Sequence, residues 1–133
     1  MNKKMRYQSA RDVMVKKVIF VDGMMTAKEA VELMRKEKVE FLIIKKRHVQ
    51  DAYGIVNVHD FVKGVIIQDK TSEEVNLFQI MTKPVVSVPA DMDVRYVASL
   101  LTNVGIRMAP VEKNGEFIGM VSLSELVLEN LLF

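Results

Sequence analysis

The sequence predicts an α/β (α+β) fold made of two tandem repeats, each of which runs strand, helix, strand, strand, helix. The first observation is a stretch that occurs twice, at 54–62 and 119–127. In each copy a glycine opens a short apolar strand, a small polar residue ends it, and an acid three residues later begins a helix. The second observation is the offset between the copies, which is 67 residues before the connecting loop and 65 after it. A nearly constant offset over so long a stretch indicates a duplicated structural unit.

Composition limits the classes of protein that fit. With 133 residues, the chain has room for one compact module or for two small halves that share a core. A formal net charge of +2 gives no support to a polyanion-binding protein, and the lack of cysteine excludes disulfides, a thiolate metal site and a cysteine nucleophile. No apolar run approaches the roughly 20 residues that span a bilayer, and no secretory signal follows the basic start. We therefore expect a soluble, cytoplasmic protein without a membrane partner.

The first copy begins with a polar arm at residues 1–11. The apolar, largely β-branched run 18–21 predicts a buried strand that ends at a turn. Thr26 stands three residues before Glu29, which is the spacing of a helix capping box, and the amphipathic pattern behind it predicts a helix. The later elements are predicted to be a strand covered on both faces at 41–44, a third strand at 54–58, a helix from His59-Asp60 to about Gln68 and a short helix at 77–81.

The second copy repeats this order. Its elements are predicted to be a strand at 85–88, a helix capped by Asp93, a strand at 108–111, a tight turn at Asn114-Gly115, a strand at 119–123 and a helix from Ser124.

Each copy is roughly 55 residues long, and units of that size rarely hold a stable core alone. We therefore expect the copies to pack about a pseudo-twofold axis as one compact module. Its parts are expected to be an N-terminal arm (1–11), a first repeat (12–68), a connector (69–78) and a second repeat (79–133).

Three stretches of the second copy, 80–88, 105–111 and 119–125, carry a family resemblance. The first copy matches them through Asp12-Val13-Met14, 18–21 and 54–60. With these residues the chain resembles the CBS domain pair, the tandem module named after cystathionine β-synthase and also called a Bateman module. No single motif is specific, but two copies in the same order at a nearly constant offset make the resemblance strong.

The resemblance implies a regulatory module that binds an adenosyl compound, such as AMP, ADP, ATP or S-adenosylmethionine, and performs no chemistry on it. The chain is then expected not to be an enzyme and to need no catalytic cofactor. The adenine base would lie against the first strand, between apolar side chains, in clefts between the halves. The ligand-binding positions expected on this chain are Val18, Ile19, Phe41, Leu42, Ile43, Asn57, His59, Asp60, Thr82, Val85, Val86, Met108, Ala109, Pro110, Ser122, Ser124 and Glu125.

The expected positions fall into two clefts. One cleft is expected to contain Val18 and Ile19 with 41–43, and the other Val85 and Val86 with 108–110.

The polar positions differ from the family pattern. By the resemblance, Asp60 and Glu125 would hold the ribose hydroxyls, and Asn57 and Ser122 would contact phosphate, roles that suit a carboxylate and a helix N-terminus. The family usually has Ser or Thr in place of Asn57, and Asp in place of Glu125. Either site could therefore be altered or empty.

Structural roles compete with these assignments. Asp60 can simply cap its helix, where a side-chain cap contributes about 1 kcal/mol without any ligand. Asn57 and Ser122 can satisfy backbone groups at strand ends, and Glu125 can be an ordinary surface residue near a helix start. His59 either meets a phosphate or remains solvated.

Other polar groups support weaker hypotheses. His48 and His59 lack supporting carboxylates at metal-ligand spacing, so we expect no metal site. The basic run 45–48 is either a solvated turn or a contact for phosphate or nucleic acid. Lys16, Lys83 and Arg107 are expected near the clefts, where they would neutralise phosphate.

The preferred function is a sensor of energy or cofactor state, in which ligand binding changes how the halves are arranged and an unknown effector protein detects the change. Surplus apolar helix surface suggests a homodimer. One alternative is a structural or dimerisation module with degenerate pockets. A less favoured one is a nucleic-acid-associated accessory protein that uses the run 45–48.

Overall fold

A computed structural model describes residues 7–129. In chain order its elements are α1 (Ala10–Val13), β1 (Phe20–Val21), α2 (Ala27–Glu37), β2 (Phe41–Ile44), β3 (Gly54–Asn57), α3 (Val58–Phe61), a π-helical turn (Val62–Ile66), a 3-10 turn (Leu77–Gln79), β4 (Val88–Pro89), α4 (Val94–Val104), β5 (Met108–Lys113), β6 (Glu116–Ser122) and α5 (Leu123–Leu128).

The described residues form two compact units. Unit I is Ile19–Val85, and unit II comprises 7–18 together with 86–129. Each unit contains one three-stranded sheet, in the order β1-β2-β3 or β4-β5-β6. In both sheets the first pair of strands is parallel and the second is antiparallel. The identical topology confirms that the chain is an α/β fold made of two repeats.

The long helices begin where the sequence places their caps. At α2 the backbone N–H of Glu29 donates to Thr26 Oγ1 over 3.1 Å, and that of Thr26 donates to Glu29 Oε1 over 2.9 Å. The hydrogen bonds that the Glu29 carboxylate accepts from the backbone N–H and from the hydroxyl of Thr26 lower the pKa of Glu29. At α4 a carboxylate oxygen of Asp93 accepts from the backbone N–H of Arg95 over 2.9 Å. Both predicted caps are confirmed.

Each sheet packs one face against the helices of its own unit. In unit I, Leu42, Ile44 and Val56 are buried with Ala30 of α2 in one apolar cluster. Because strand side chains alternate between faces, Ile43 belongs to the other face, yet it is also fully buried. The strand at 41–44 is therefore covered on both faces, as its unbroken apolar run predicts.

The leading segment of each repeat, which precedes its first strand, pairs with the third strand of the other repeat. Val15 and Met120 exchange two backbone hydrogen bonds of 2.8 Å each, within unit II. Thr82 and Ile55 exchange two of 2.9 Å each, within unit I. The chain therefore crosses from one unit to the other at 18–19 and again at 85–86.

Two helices differ from the prediction at their starts. The helices α3 and α5 begin one residue earlier than expected, at Val58 and Leu123, because the polar residues that end the strands, Asn57 and Ser122, act as N-caps. Beyond Phe61 the predicted helix continues as the π-helical turn.

The first strands are shorter than predicted. Only Phe20–Val21 and Val88–Pro89 pair with their neighbours as named strands. The predicted short helix at 77–81 is the 3-10 turn Leu77–Gln79. The ends of the predicted arm and last helix, at 1–6 and 130–133, lie outside the described residues.

Candidate functional site

The junction between β3 and α3 holds the polar residues expected at the first site. The backbone N–H of Asn57 donates to Asp60 Oδ2 over 2.9 Å, and the backbone N–H of Asp60 donates to Asn57 Oδ1 over 3.2 Å. Asp60 is only 7% exposed. Within residues 7–129 its second oxygen, Oδ1, has no hydrogen-bond donor. The junction therefore presents one accessible carboxylate oxygen, on an otherwise buried side chain, that can still accept a hydrogen bond.

The junction between β6 and α5 is the counterpart in unit II. The backbone N–H of Glu125 donates to Ser122 Oγ over 3.1 Å. Glu125 is partly buried, and Ser124 beside it is exposed. In unit I the corresponding exposed residue is His59. Asn57 and Ser122 thus serve as helix caps in both units, whatever else they contact.

The register of the sheets brings the middle strand against each junction. Phe41 lies opposite Asn57, and Met108 lies opposite Ser122. Both apolar residues are partly buried. An apolar side chain and a helix N-terminus therefore lie side by side in each unit, as a site for a base-bearing ligand requires.

The remaining middle-strand candidates are buried. Leu42 and Ala109 belong to the apolar cores of their units, so only their backbone groups remain for a ligand. Ile43 and Pro110 are also buried. Because side chains alternate along a strand, they lie on the other face of the sheet from Leu42 and Ala109.

The boundary between the two units falls inside each predicted first strand. Ile19 belongs to unit I with 41–43, and its carbonyl accepts from the backbone N–H of Ile43 over 2.9 Å. Its neighbour Val18 belongs to unit II, and Val85 belongs to unit I.

This division follows from the pairing of each leading segment with the third strand of the other repeat. Thr82 pairs with β3, and the backbone N–H of Val85 donates to the carbonyl of Tyr53 over 2.9 Å. Val86 falls in unit II with 108–110. Thr82 and Val86 are exposed, whereas Val85 is partly buried.

Sequence reasoning missed the residues around the Asp60 carboxylate. A pocket of about 330 Å³ in unit I, here called the Asp60 pocket, is lined by residues that include Asp60, Lys63, Gly64, Lys70, Gln79 and Ile80. The helical spacing of Asp60, Lys63 and Gly64 was visible in the sequence. No local pattern could have brought Gln79 and Ile80 to the same place.

The carboxylate of Asp51 forms ion pairs with Lys83 and with Arg47 of the basic run 45–48. The Nζ of Lys83 lies 2.7 Å from Asp51 Oδ1, and the Nε of Arg47 lies 3.2 Å from Asp51 Oδ2. Hydrogen bonds from Lys83 and from the backbone of Arg47 hold the pKa of Asp51 far below its ordinary value. Lys46 lies 5.0 Å from the centroid of the Tyr53 ring. Two members of the run 45–48 therefore already have partners.

Between residues 7 and 129, no three His, Cys, Asp or Glu side chains gather as metal ligands would. Among the helices described, none has the length and apolarity to cross a membrane.

Comparisons with known proteins find the same family twice along the chain, once in each repeat. The CBS domain family profile matches residues 10–66 and 77–130. The mitochondrial CBS domain-containing protein CBSX3 of Arabidopsis thaliana is 31% identical over 77% of this chain and 51% of its own length. The chain covers between 51% and 63% of the lengths of two curated relatives.

Two solved structures show the same fold. The hexameric CBS-CP12 protein from bloom-forming cyanobacteria is 34% identical, with a TM-score of 0.87 over 92% of this chain and 70% of that one. The CBS domain pair of protein MJ0100, solved with 5′-methylthioadenosine and S-adenosyl-L-methionine, is 23% identical, with a TM-score of 0.78 over 91% of this chain and 94% of that one. The repeated topology, the double family match and these likenesses lead to one conclusion: the chain belongs to the CBS domain family and is a tandem CBS domain pair.

Proposed function

We propose that this CBS domain pair is a regulatory module that binds an adenosyl compound and signals its level to a partner protein without chemical change to the ligand. The observation that carries the proposal is the side chain of Asp60, which is largely buried in the first turn of α3 and keeps one oxygen free to accept a hydrogen bond. Two neighbouring ribose hydroxyls are donors that match such an acceptor. The MJ0100 pair, which has the same fold, was solved with two adenosyl compounds.

The apolar part of the ligand has a place beside the carboxylate. We propose that the adenine lies near Phe41, whose strand runs next to the β3–α3 junction. Ile19, Thr82 and Val85 belong to the same unit and complete the candidate set there. In unit II the corresponding set is Val18, Val86, Met108, Ser122 and Glu125. AMP, ADP, ATP and S-adenosylmethionine are the ligands to test.

The regulatory output requires the ligand to prefer one arrangement of the protein over another, because a ligand that binds both equally shifts nothing. The division into repeats 12–68 and 79–133, joined by 69–78, belongs to this proposal, as does a homodimer in the cytoplasm. The CBS-CP12 relative is a hexamer, so oligomer formation by this chain should be measured alongside ligand binding.

The test is calorimetric titration of the wild-type chain and of Asp60→Asn. The asparagine can still accept from the backbone N–H of Asn57, so we expect the helix cap to survive. Loss of a charge-assisted hydrogen bond to ribose should weaken binding about tenfold or more. Glu29→Gln is the matched control, because Glu29 occupies the same place in an exposed capping box. No heat with any of the four ligands at millimolar concentration would refute the proposal.

One observation favours the assembly alternative as a second candidate. Ile66 and Ile67 are 70% and 67% exposed at the end of the π-helical turn, and Val58 at the start of α3 is 51% exposed. Apolar side chains in this position suit a protein interface. If none of the four ligands binds and Ile66→Lys converts an oligomer to monomers, the chain is an assembly module.

A further inference from the structure

The connection between β2 and β3, residues 45–53 and here called the β2–β3 loop, is a basic surface that the adenosyl proposal does not use. Residues 45–50 are all exposed, and the first three are Lys45, Lys46 and Arg47. Because β3 begins at this loop and ends at the β3–α3 junction, the loop and the junction lie at opposite ends of the strand. The loop is therefore a separate surface from the polar residues of that junction.

The side chain of Asp51, which is only 7% exposed, holds the loop in shape. Its Oδ2 accepts hydrogen bonds from the backbone N–H of Arg47 over 2.9 Å and from the Nε of Arg47 over 3.2 Å. The backbone N–H of Asp51 donates to the carbonyl of His48 over 3.1 Å. A partner that binds this loop therefore loses little entropy in ordering it.

These contacts leave cationic groups available for an anion. Arg47 uses Nε for Asp51, but its two terminal nitrogens have no partner within residues 7–129, and its side chain is 77% exposed. Lys45 forms no ion pair in the same part of the chain. Because a guanidinium presents its N–H groups as a planar fork, Arg47 is oriented to bind a carboxylate or a phosphate through two hydrogen bonds.

An apolar side chain lies beside these cations. Val49 is 89% exposed, more than any other large apolar side chain among residues 7–129. Its neighbours His48 and Gln50 are exposed as well. An apolar residue with cationic and polar residues around it matches the apolar core and polar rim of a protein interface.

The corresponding connection of the other repeat lacks this pattern. Residues 112–118 are two fewer, and they carry two acids, Glu112 and Glu116, with one cation, Lys113. Their centre is the tight turn Asn114-Gly115, which has no counterpart of Val49. The cations and the exposed valine are therefore not a consequence of the repeated fold.

Two classes of macromolecule carry anions for such a surface, and the observations favour a protein over a nucleic acid. The ring of Tyr53 lies between Lys46, 5.0 Å from its centroid, and the ring of Phe20, whose centroid is 5.7 Å away, so it is not open for a base to stack on. The formal net charge is only +2, so a long polyanion meets nearly as many acids as bases elsewhere on the chain. A protein partner needs only the local surface.

We propose that the β2–β3 loop is a docking surface for a partner protein that presents carboxylates around an apolar depression. Val49 enters the depression, and Lys45, Lys46 and Arg47 meet the carboxylates. This inference rests on the proposed function, because it names the chemistry of the partner that a regulatory output requires.

The loop is also joined to candidate ligand-binding residues. Lys83 follows Thr82 in the chain, and its Nζ lies 2.7 Å from Asp51 Oδ1. The backbone N–H of Val85 donates to the carbonyl of Tyr53, the last residue of the loop, over 2.9 Å. A ligand that displaces 82–85 therefore displaces the loop, whereas docking itself needs no ligand.

The experiment selects a display library of random dodecapeptides on the immobilised full chain and measures the enriched peptides by fluorescence anisotropy. We expect peptides with several acidic residues beside an apolar one. Lys45→Gln/Lys46→Gln should weaken the strongest peptide about tenfold, because two exposed ion pairs are lost. Val49→Ser should also weaken it about tenfold, because an apolar side chain is no longer buried. Arg35→Gln/Lys36→Gln is the matched control, since it removes two exposed charges from the last turn of α2 in the same unit.

Several outcomes would overturn the docking surface: no enrichment, enriched peptides without acidic residues, undiminished binding to either loop variant, or an equal loss in the control. A short single-stranded RNA that binds and is weakened by the lysine variant, with no acidic peptide enriched, would assign the loop to nucleic acid instead. Titration of the wild type with the four adenosyl compounds is a separate readout. Adenosyl binding without loop-dependent peptides would overturn the docking surface alone, and loop-dependent peptides without adenosyl binding would overturn the proposed ligand alone.

Discussion

The exchanged leading segments can be tested with a matched pair of substitutions, Gly119→Ala and Gly54→Ala. Gly54 is the first residue of β3 and Gly119 lies within β6, and each glycine is in close contact with the leading segment that pairs with its strand. A Cβ atom at Gly119 would lie 2.8 Å from the carbonyl oxygen of Val15 and 2.5 Å from Met14 Sδ. At Gly54 it would lie 2.7 Å from Met81 Sδ, and 3.3 Å from the nearest backbone atom, the carbonyl oxygen of Thr82.

The two substitutions should therefore differ in cost. At Gly54 the flexible methionine can move aside, and such adjustments usually cost below about 1.5 kcal/mol. At Gly119 the backbone of Val15 must move, which strains the packing by about 1–3 kcal/mol. The movement also weakens the two hydrogen bonds with Met120, worth about 1 kcal/mol each. We expect Gly119→Ala to cost about 2–4 kcal/mol.

Denaturant unfolding monitored by circular dichroism measures both changes in unfolding free energy. Replacing glycine by alanine changes the unfolded chain equally in both variants. The difference between their unfolding free energies therefore isolates the effect of the close contact in the folded state. Adding Met14→Ala to Gly119→Ala should not restore stability, because the contact with Val15 remains. Equal costs for the two variants, or a larger cost at Gly54, would refute the packing described for the exchanged segments.

Two further predictions concern stability and caps. Because Lys83 and Arg47 lower the pKa of Asp51 from 3.8, the stability that Asp51 contributes is complete above about pH 5 and falls as the pH drops below 3.8 toward the lowered value. The difference in unfolding free energy between wild type and Asp51→Asn should shrink over that acid range; a difference independent of pH would count against it. Asn57→Ser should keep the cap, since Ser122 caps α5 in the same way, whereas Asn57→Ala should cost about 1 kcal/mol in thermal or chemical unfolding. Equal stability of the serine and alanine variants would contradict the capping role.

Features within a few residues of one another were readable from the sequence. The caps at Thr26 and Asp93 rest on side chains that reach a backbone N–H two or three positions away, so spacing alone specifies them. The tight turn at Asn114-Gly115 was readable for the same reason, since both residues have positive φ. The duplication itself set the number and order of strands in each sheet.

The tertiary structure decided which distant residues meet. Val15 pairs with Met120 and Thr82 with Ile55, although Val15 and Thr82 each precede the first strand of the other repeat from the one they pair with. Strand pairing depends on backbone groups that every residue carries, so no side-chain pattern identifies the partner across so many positions. The Asp60 pocket follows from the same pairing, because the chain that pairs with β3 also carries Gln79 and Ile80 past α3. The sequence determined by itself that two like units form, and only packing decided which leading segment each unit would contain.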